Sequence, residues 1–251
     1  LNNSLMNGLK LLESYSAERK SWGIREWARE LDMDPSSVSR LALTLRACGY
    51  LEKDPSTKRY ILGPKVLRIA ELYRDFNPLT SIARKIFESY LDRFEYNFCF
   101  AALEEFTYEM IYLTVLDGRG EVKVLSLPGE IVPLHASALG KAVLAYQPSA
   151  YVDSFFKNNS PLKEYTKNTI TDEILLRGEF EKIKSNKYAR NYGEIYESIG
   201  AIGMPIFNPK GEARYAVCLS YPIIYVKEER VLEIINLVKE IALEMKTRFA
   251  F

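Results

Sequence analysis

The sequence predicts an α+β protein. An N-terminal winged helix-turn-helix is followed by a larger domain built on a mainly antiparallel sheet. Three observations carry this. Helical periodicity recurs in three short blocks within the first 50 residues. A basic, turn-rich stretch flanked by two short strand-like runs follows at once. From Asn97 onward the apolar period drops to two, and strands then alternate with helices.

The first block places Leu5, Leu9 and Leu12 on one stripe, predicting a helix over residues 5–15. Ile24, Ala28 and Leu31 repeat the pattern over residues 24–31. Asp34 is a good N-cap and Pro35 suits the first helical position, so a third helix starts there. It runs to about Cys48, where Gly49 ends it. Residues 50–53 and 59–62 read as a hairpin around Asp54-Pro55-Ser56-Thr57-Lys58. Helices are expected at 65–76 and 79–94, parted by Asn77-Pro78.

Strands are expected at 97–103, 109–116 and 122–127, with Asp117-Gly118 as the hairpin turn between the last two. Helices follow at 137–146, 149–157 and 171–185, then strands at 189–195, 201–207 and 215–221. Asn208-Pro209-Lys210-Gly211 turns the chain between the final pair. Val231, Ile234, Ile235, Val238, Ile241, Ala242 and Met245 mark a terminal amphipathic helix over 227–249. The domains expected are 1–63, 64–95 as linker helices, and 96–251.

Composition excludes several classes. The chain has 251 residues, 47% hydrophobic and 27% charged, as in ordinary soluble globular proteins. No apolar run approaches the roughly 20 residues that span a bilayer. The first 20 residues lack a secretory pattern, and three distant cysteines suit a reduced compartment, so a cytoplasmic protein without membrane association is expected. A net charge of +1 means that any nucleic-acid site must be a local patch.

The third helix offers one. At 100° per residue, Val38, Leu41, Ala42, Leu45 and Cys48 face the small core, while Ser36, Ser39, Arg40, Leu43 and Ala47 face outward. Short polar side chains let a backbone approach phosphates and base edges, and Arg40 can bond guanine bidentately. Lys53, Lys58 and Arg59 lie on the hairpin, and Arg25 and Arg29 on the second helix. Residues 1–62 hold ten basic and eight acidic side chains, so position matters more than the surplus. The expected DNA-contacting set is Arg25, Ser36, Ser37, Ser39, Arg40, Thr44, Lys58 and Arg59. A winged helix that binds protein remains the alternative at this point.

Other motifs lead away from catalysis. Gly140-Lys141 suggests a phosphate loop, but His135 stands where the earlier glycine is needed and Ala142 where Ser or Thr is. Ser137 instead suits a helix cap whose open N–H groups would hold a carboxylate or other anion, a plain cap being the alternative. His135, the lone histidine, has no second metal ligand at suitable spacing and is expected to be buried and hydrogen-bonded. No nucleophile has a paired base. Neither enzymatic activity nor a metal or cofactor is expected.

Taken together, the residues resemble the IclR family of bacterial transcriptional regulators. Residues 7–13 (NGLKLLE), 34–51 (DPSSVSRLALTLRACGYL) and 58–63 (KRYILG) are similar to its opening helix, helix-turn-helix and wing. The most specific match is LHASALGKA at residues 134–142. Residues 188–206 and 215–222 match its late strands. The resemblance implies a GAF-like effector domain, a homodimer or homotetramer, and a palindromic operator in double-stranded DNA. It also implies a small-molecule effector, a small organic or aromatic acid, held by Ser137, Ala138, Leu139, Asn191, Ala201, Cys218 and Ser220. Asn191 stands where some members have an acid, Ala201 where some have a polar residue, and Gly193 where an acid often sits. Pro35 opens the recognition helix in place of a frequent basic residue. A small-molecule binder or enzyme that uses its small domain for assembly is the alternative reading.

Overall fold

A computed structural model describes residues 2–16, 18–124 and 126–249. The chain divides into two compact units between Asn77 and Pro78.

The first unit holds α1 (Asn3–Glu13), α2 (Ile24–Glu30), α3 (Pro35–Ala47), β1 (Leu51–Lys53), β2 (Tyr60–Leu62) and α4 (Pro64–Phe76). Its core gathers Leu11, Trp22, Trp27, Ala28, Val38, Ala42, Leu51 and Tyr60. The Trp22 and Trp27 rings stack with centroids 5.8 Å apart, and their indole N–H groups both end on Ser14. Asp34 caps α3 by accepting from the Ser36 and Ser37 amides, and Pro35 opens the first turn. Leu41 and Leu45 pack against the core as half-buried residues. Cys48 does not: it is the C-cap of α3 and exposed, because the helix ends before its side chain can turn inward. The wing is pinned to the segment before α2, where Trp22 and Tyr60 exchange both backbone hydrogen bonds, at 2.9 and 2.8 Å.

The second unit holds α5 (Pro78–Ser89), β3 (Asn97–Glu104), β4 (Glu109–Asp117), β5 (Ile131–Pro133), α6 (Ala138–Leu144), α7 (Ser149–Asn159), α8 (Glu173–Asn186), β6 (Ala189–Tyr192), β7 (Ile199–Phe207), β8 (Ala213–Pro222) and α9 (Glu228–Arg248). Its strands form one antiparallel sheet in the order β5-β4-β3-β8-β7-β6. Successive strand residues point to opposite faces, and the two faces carry separate cores. Phe98, Phe100, Ile202, Met204, Val217 and Leu219 pack with α5 and α9. Cys99, Ala101, Leu103, Ala216 and Cys218 pack with α6, α7 and α8.

Several sequence expectations are corrected. Residues 122–124, 126 and 127 form no strand, and Leu125 lies outside the described residues. The hairpin joins β3 to β4 instead, and Asp117-Gly118 is not its turn. There the Gly118 amide donates to the Tyr96 carbonyl at 2.5 Å, and the Val124 amide donates to the buried Asn97 side chain. These bonds draw the segment across the sheet end, and backbone bonding to β4 resumes at Gly129 and Glu130, leading into β5 from Ile131. The helix expected to reach residue 94 stops at Ser89, where i→i−3 bonds from Tyr90 to Phe87 and from Arg93 to Tyr90 tighten the chain. The strand expected to reach residue 195 stops at Tyr192, since Gly193 turns the chain with φ 71°. The proposed linker at 64–95 falls into both units, α4 in the first and α5 in the second.

Candidate functional site: an outer helix face with its wing, and a buried sheet face under α6

On the first unit, α3 shows Ser36, Arg40, Leu43 and Thr44 to solvent, with Ser37 and Ser39 half-buried. The Ser36 hydroxyl donates to Asp34, and the Ser37 hydroxyl accepts from Arg40 Nη2 at 3.2 Å. The Thr44 hydroxyl donates back to the Arg40 carbonyl at 3.0 Å. Arg40 therefore sits beside the Ser37 hydroxyl on a face of short polar side chains, its own side chain exposed. Arg25 is exposed on α2 and Lys58 on the wing. In the wing turn, Asp54 accepts from the Ser56 hydroxyl at 2.6 Å and from the Thr57 and Ser56 amides, and these bonds, the hydroxyl's above all, pull its carboxyl down to about 2.

Arg59 differs from its neighbours. It is half-buried, and its guanidinium turns into the unit, donating to Glu26 Oε1 and Oε2, each at 2.7 Å. It also donates to the Ser21 hydroxyl at 2.8 Å and the Ser21 carbonyl at 2.9 Å. The Arg59 guanidinium holds the Glu26 carboxyl at about 2, with smaller help from Gly23 and Arg19.

On the second unit, the seven residues expected around an effector converge. Asn191, Ala201 and Ser220 are register partners across β6, β7 and β8, with Asn97 next in the row on β3. Cys218 lies one row along, between Gly203 and Cys99. All four expected strand residues share the face covered by α6, and Ser137, Ala138 and Leu139 begin that helix. All seven are buried. Two glycines permit the approach. A Cβ on Gly203 would meet the Ala138 carbonyl oxygen at 2.7 Å, and one on Gly140 would meet Leu134 Cα at 2.4 Å.

Much of the polar capacity here is spent on structure. Ser137 donates to the Pro133 carbonyl at 2.7 Å and accepts from the Gly140 amide at 2.8 Å. The Asn191 amide nitrogen donates to the Ala136 carbonyl, and its oxygen accepts from the Glu194 amide at 3.3 Å. By contrast, among the described residues Ser220 Oγ meets only a thiol, Cys99 Sγ at 3.9 Å. Contact with Cys99 and burial push the Cys218 thiol up, so this wall is uncharged near neutrality. Burial pushes the Tyr112 phenol up as well, with Cys99 and Cys218 beside it.

Sequence reasoning missed four residues here. Tyr112 and Cys99 join the site only through strand register, opposite Ala101 and Cys218. Lys141 and Glu194 form a buried ion pair at 2.5 Å, and Lys141 also donates to the Arg190 carbonyl at 2.8 Å. Burial pushes the Glu194 carboxyl up while Lys141 pulls it down, the first effect being larger. The acid of this segment thus stands one residue beyond Gly193.

Comparison with known proteins decides the family. Residues 76–247 match the model of the bacterial transcriptional regulator IclR C-terminal domain, and residues 4–55 match the IclR helix-turn-helix domain. The chain belongs to the IclR family. It is 28% identical to the HTH-type transcriptional regulator BhcR of Paracoccus denitrificans, over 88% of this chain and 78% of that one. An IclR transcriptional regulator from Silicibacter sp. TM1040 superposes with a TM-score of 0.87 at 24% identity, covering 98% and 95% of the two chains. An IclR homologue from Microbacterium hydrocarbonoxydans, solved with 4-hydroxybenzoate, superposes with a TM-score of 0.75 at 21% identity, covering 97% and 98%. As an IclR-family transcriptional regulator, the chain pairs a DNA-binding helix-turn-helix with a C-terminal effector-binding domain. No helix among the described residues is long and apolar enough to cross a membrane.

Proposed function

We propose that α3 reads operator DNA through Ser36, Ser37, Ser39, Arg40 and Thr44, with Arg25 and the wing residue Lys58 completing the surface and the inward-turned Arg59 supporting the wing. The observation that carries this is the outer face of α3, where short hydroxyls surround an exposed guanidinium. Such a face lets the helix approach base edges while Arg40 meets guanine or a phosphate. The effector is a small organic or aromatic acid, seated between the start of α6 and the row Asn191, Ala201, Ser220, with Cys218 beside it. The Microbacterium homologue's 4-hydroxybenzoate supports that class. Ser220 and Tyr112 offer hydroxyl groups and the thiols an apolar, polarisable wall.

The working form is a homodimer or homotetramer in the cytoplasm, on a palindromic operator, without enzymatic activity. Exposed Leu67, Ile69, Leu72 and Phe76 leave α4 with an apolar surface that a second copy would cover. The test of DNA reading is a shift assay on a fragment from the gene's own upstream region. Arg40→Ala is expected to cost about 1–3 kcal/mol of specific binding, the loss of one good base contact. Unchanged affinity and specificity would remove Arg40 from the reading set.

A further inference from the structure

The Arg59 guanidinium is the one basic group of the expected DNA set that is turned into its own unit. Four hydrogen bonds hold it, two in a fork on Glu26 and two on Ser21. Glu26 lies in the first turn of α2, and Ser21 in the strand-like segment before it. Arg59 itself lies where the wing turn enters β2, so the fork ties wing to helix-turn-helix across 33 residues of chain. Both carboxylate oxygens of Glu26 are used, and a second guanidinium, that of Arg19, reaches Oε2 at 3.4 Å while lying over the Trp22 ring. A bidentate fork fixes angle as well as distance, which a single lysine contact does not. Lys58, the preceding residue, has φ 60° and stays exposed. Inward Arg59 and outward Lys58 are therefore coupled by one backbone link.

Building on the DNA-binding reading above, we infer that Arg59 and Glu26 are positioning residues for the wing. Their fork sets the wing's angle, and Lys58 thereby reaches the phosphate backbone. Arg59 does not itself touch the duplex. Glu26→Gln deletes a negative charge from a DNA-binding unit, and simple electrostatics would raise affinity for a polyanion. A positioning role lowers it.

The experiment measures affinity for the upstream DNA fragment against salt concentration for wild type, Glu26→Gln, Lys58→Ala and the double variant. The active fraction of each is fixed by stoichiometric titration, so a folding defect does not enter Kd. Each lost phosphate contact reduces the slope of log K against log salt by about 0.9. Glu26→Gln is expected to bind several-fold more weakly and to lose about one contact from its slope, although Lys58 is intact. Lys58→Ala should then add nothing further in the Glu26→Gln background. Arg59→Lys, which keeps the charge and loses the fork, should behave like Glu26→Gln. Glu26→Gln binding as tightly as wild type or tighter, or an undiminished Lys58→Ala effect in the double variant, overturns the clamp. If wild type itself binds no fragment, the DNA-binding reading falls first.

Discussion

His135 is the only histidine, and it is buried with Nε2 2.9 Å from the Lys163 carbonyl and its ring beside Tyr165. Burial lowers its pKa below the ordinary 6.5, with Lys141 adding a smaller push, so the ring is neutral at pH 7. A histidine whose folded pKa is depressed favours the fold while neutral. That contribution is present above the unfolded pKa near 6.5 and is lost as pH falls through the lower folded value. Melting temperature should therefore drop as pH falls below about 6.5 in wild type, and drop less in His135→Asn. Parallel curves for the two proteins would show that His135 does not carry the effect. The sequence alone placed this residue correctly as a packed, hydrogen-bonded side chain, because a lone histidine has too few partners to bind metal. It gave no such signal for Arg59, whose exposure or burial depends on Glu26, a residue 33 positions away.

At the scale of elements, α6 is held by charge as well as by packing. Lys141 enters from the second turn of the helix and meets Glu194 just beyond β6, both nearly enclosed. This fastens the helix that Ser137 caps to the strand that supplies Asn191. Removing one partner of a buried pair strands the other's charge, at a cost of about 3–5 kcal/mol. Lys141→Met should lower unfolding free energy by that amount, and Lys141→Met with Glu194→Leu should recover much of it. A double variant no more stable than the single one would mean that the pair is not coupled. The helices were legible from their 3.6 period and from Asp34 and Ser137, whose side chains cap α3 and α6. Residues 122–127 misled because Val122, Val124, Leu125 and Leu127, interrupted by Lys123 and Ser126, imitate a strand. The fold instead uses the segment to reach Asn97, through a side-chain bond that no local pattern announces.

For the whole molecule, two separately cored units carry two binding surfaces, one for DNA and one for a small molecule. The order of elements and the motif at residues 134–142 made this division readable. The composition of the candidate site under α6 was only half readable, since strand register adds Cys99 and Tyr112 from β3 and β4. Regulation requires that the effector bind DNA-competent and incompetent states unequally, because equal affinity shifts no population. The most direct measurement is the affinity of the full chain for its upstream DNA fragment and for a scrambled duplex, across a salt series, with and without saturating 4-hydroxybenzoate or related small carboxylates. The account predicts a preference of at least about 10³ for the upstream fragment. It also predicts a steep fall with salt, and a change of about 5–150-fold when an acid of the right class binds. Weak binding that treats both duplexes alike, with no response to any acid that raises the protein's melting temperature, would contradict it.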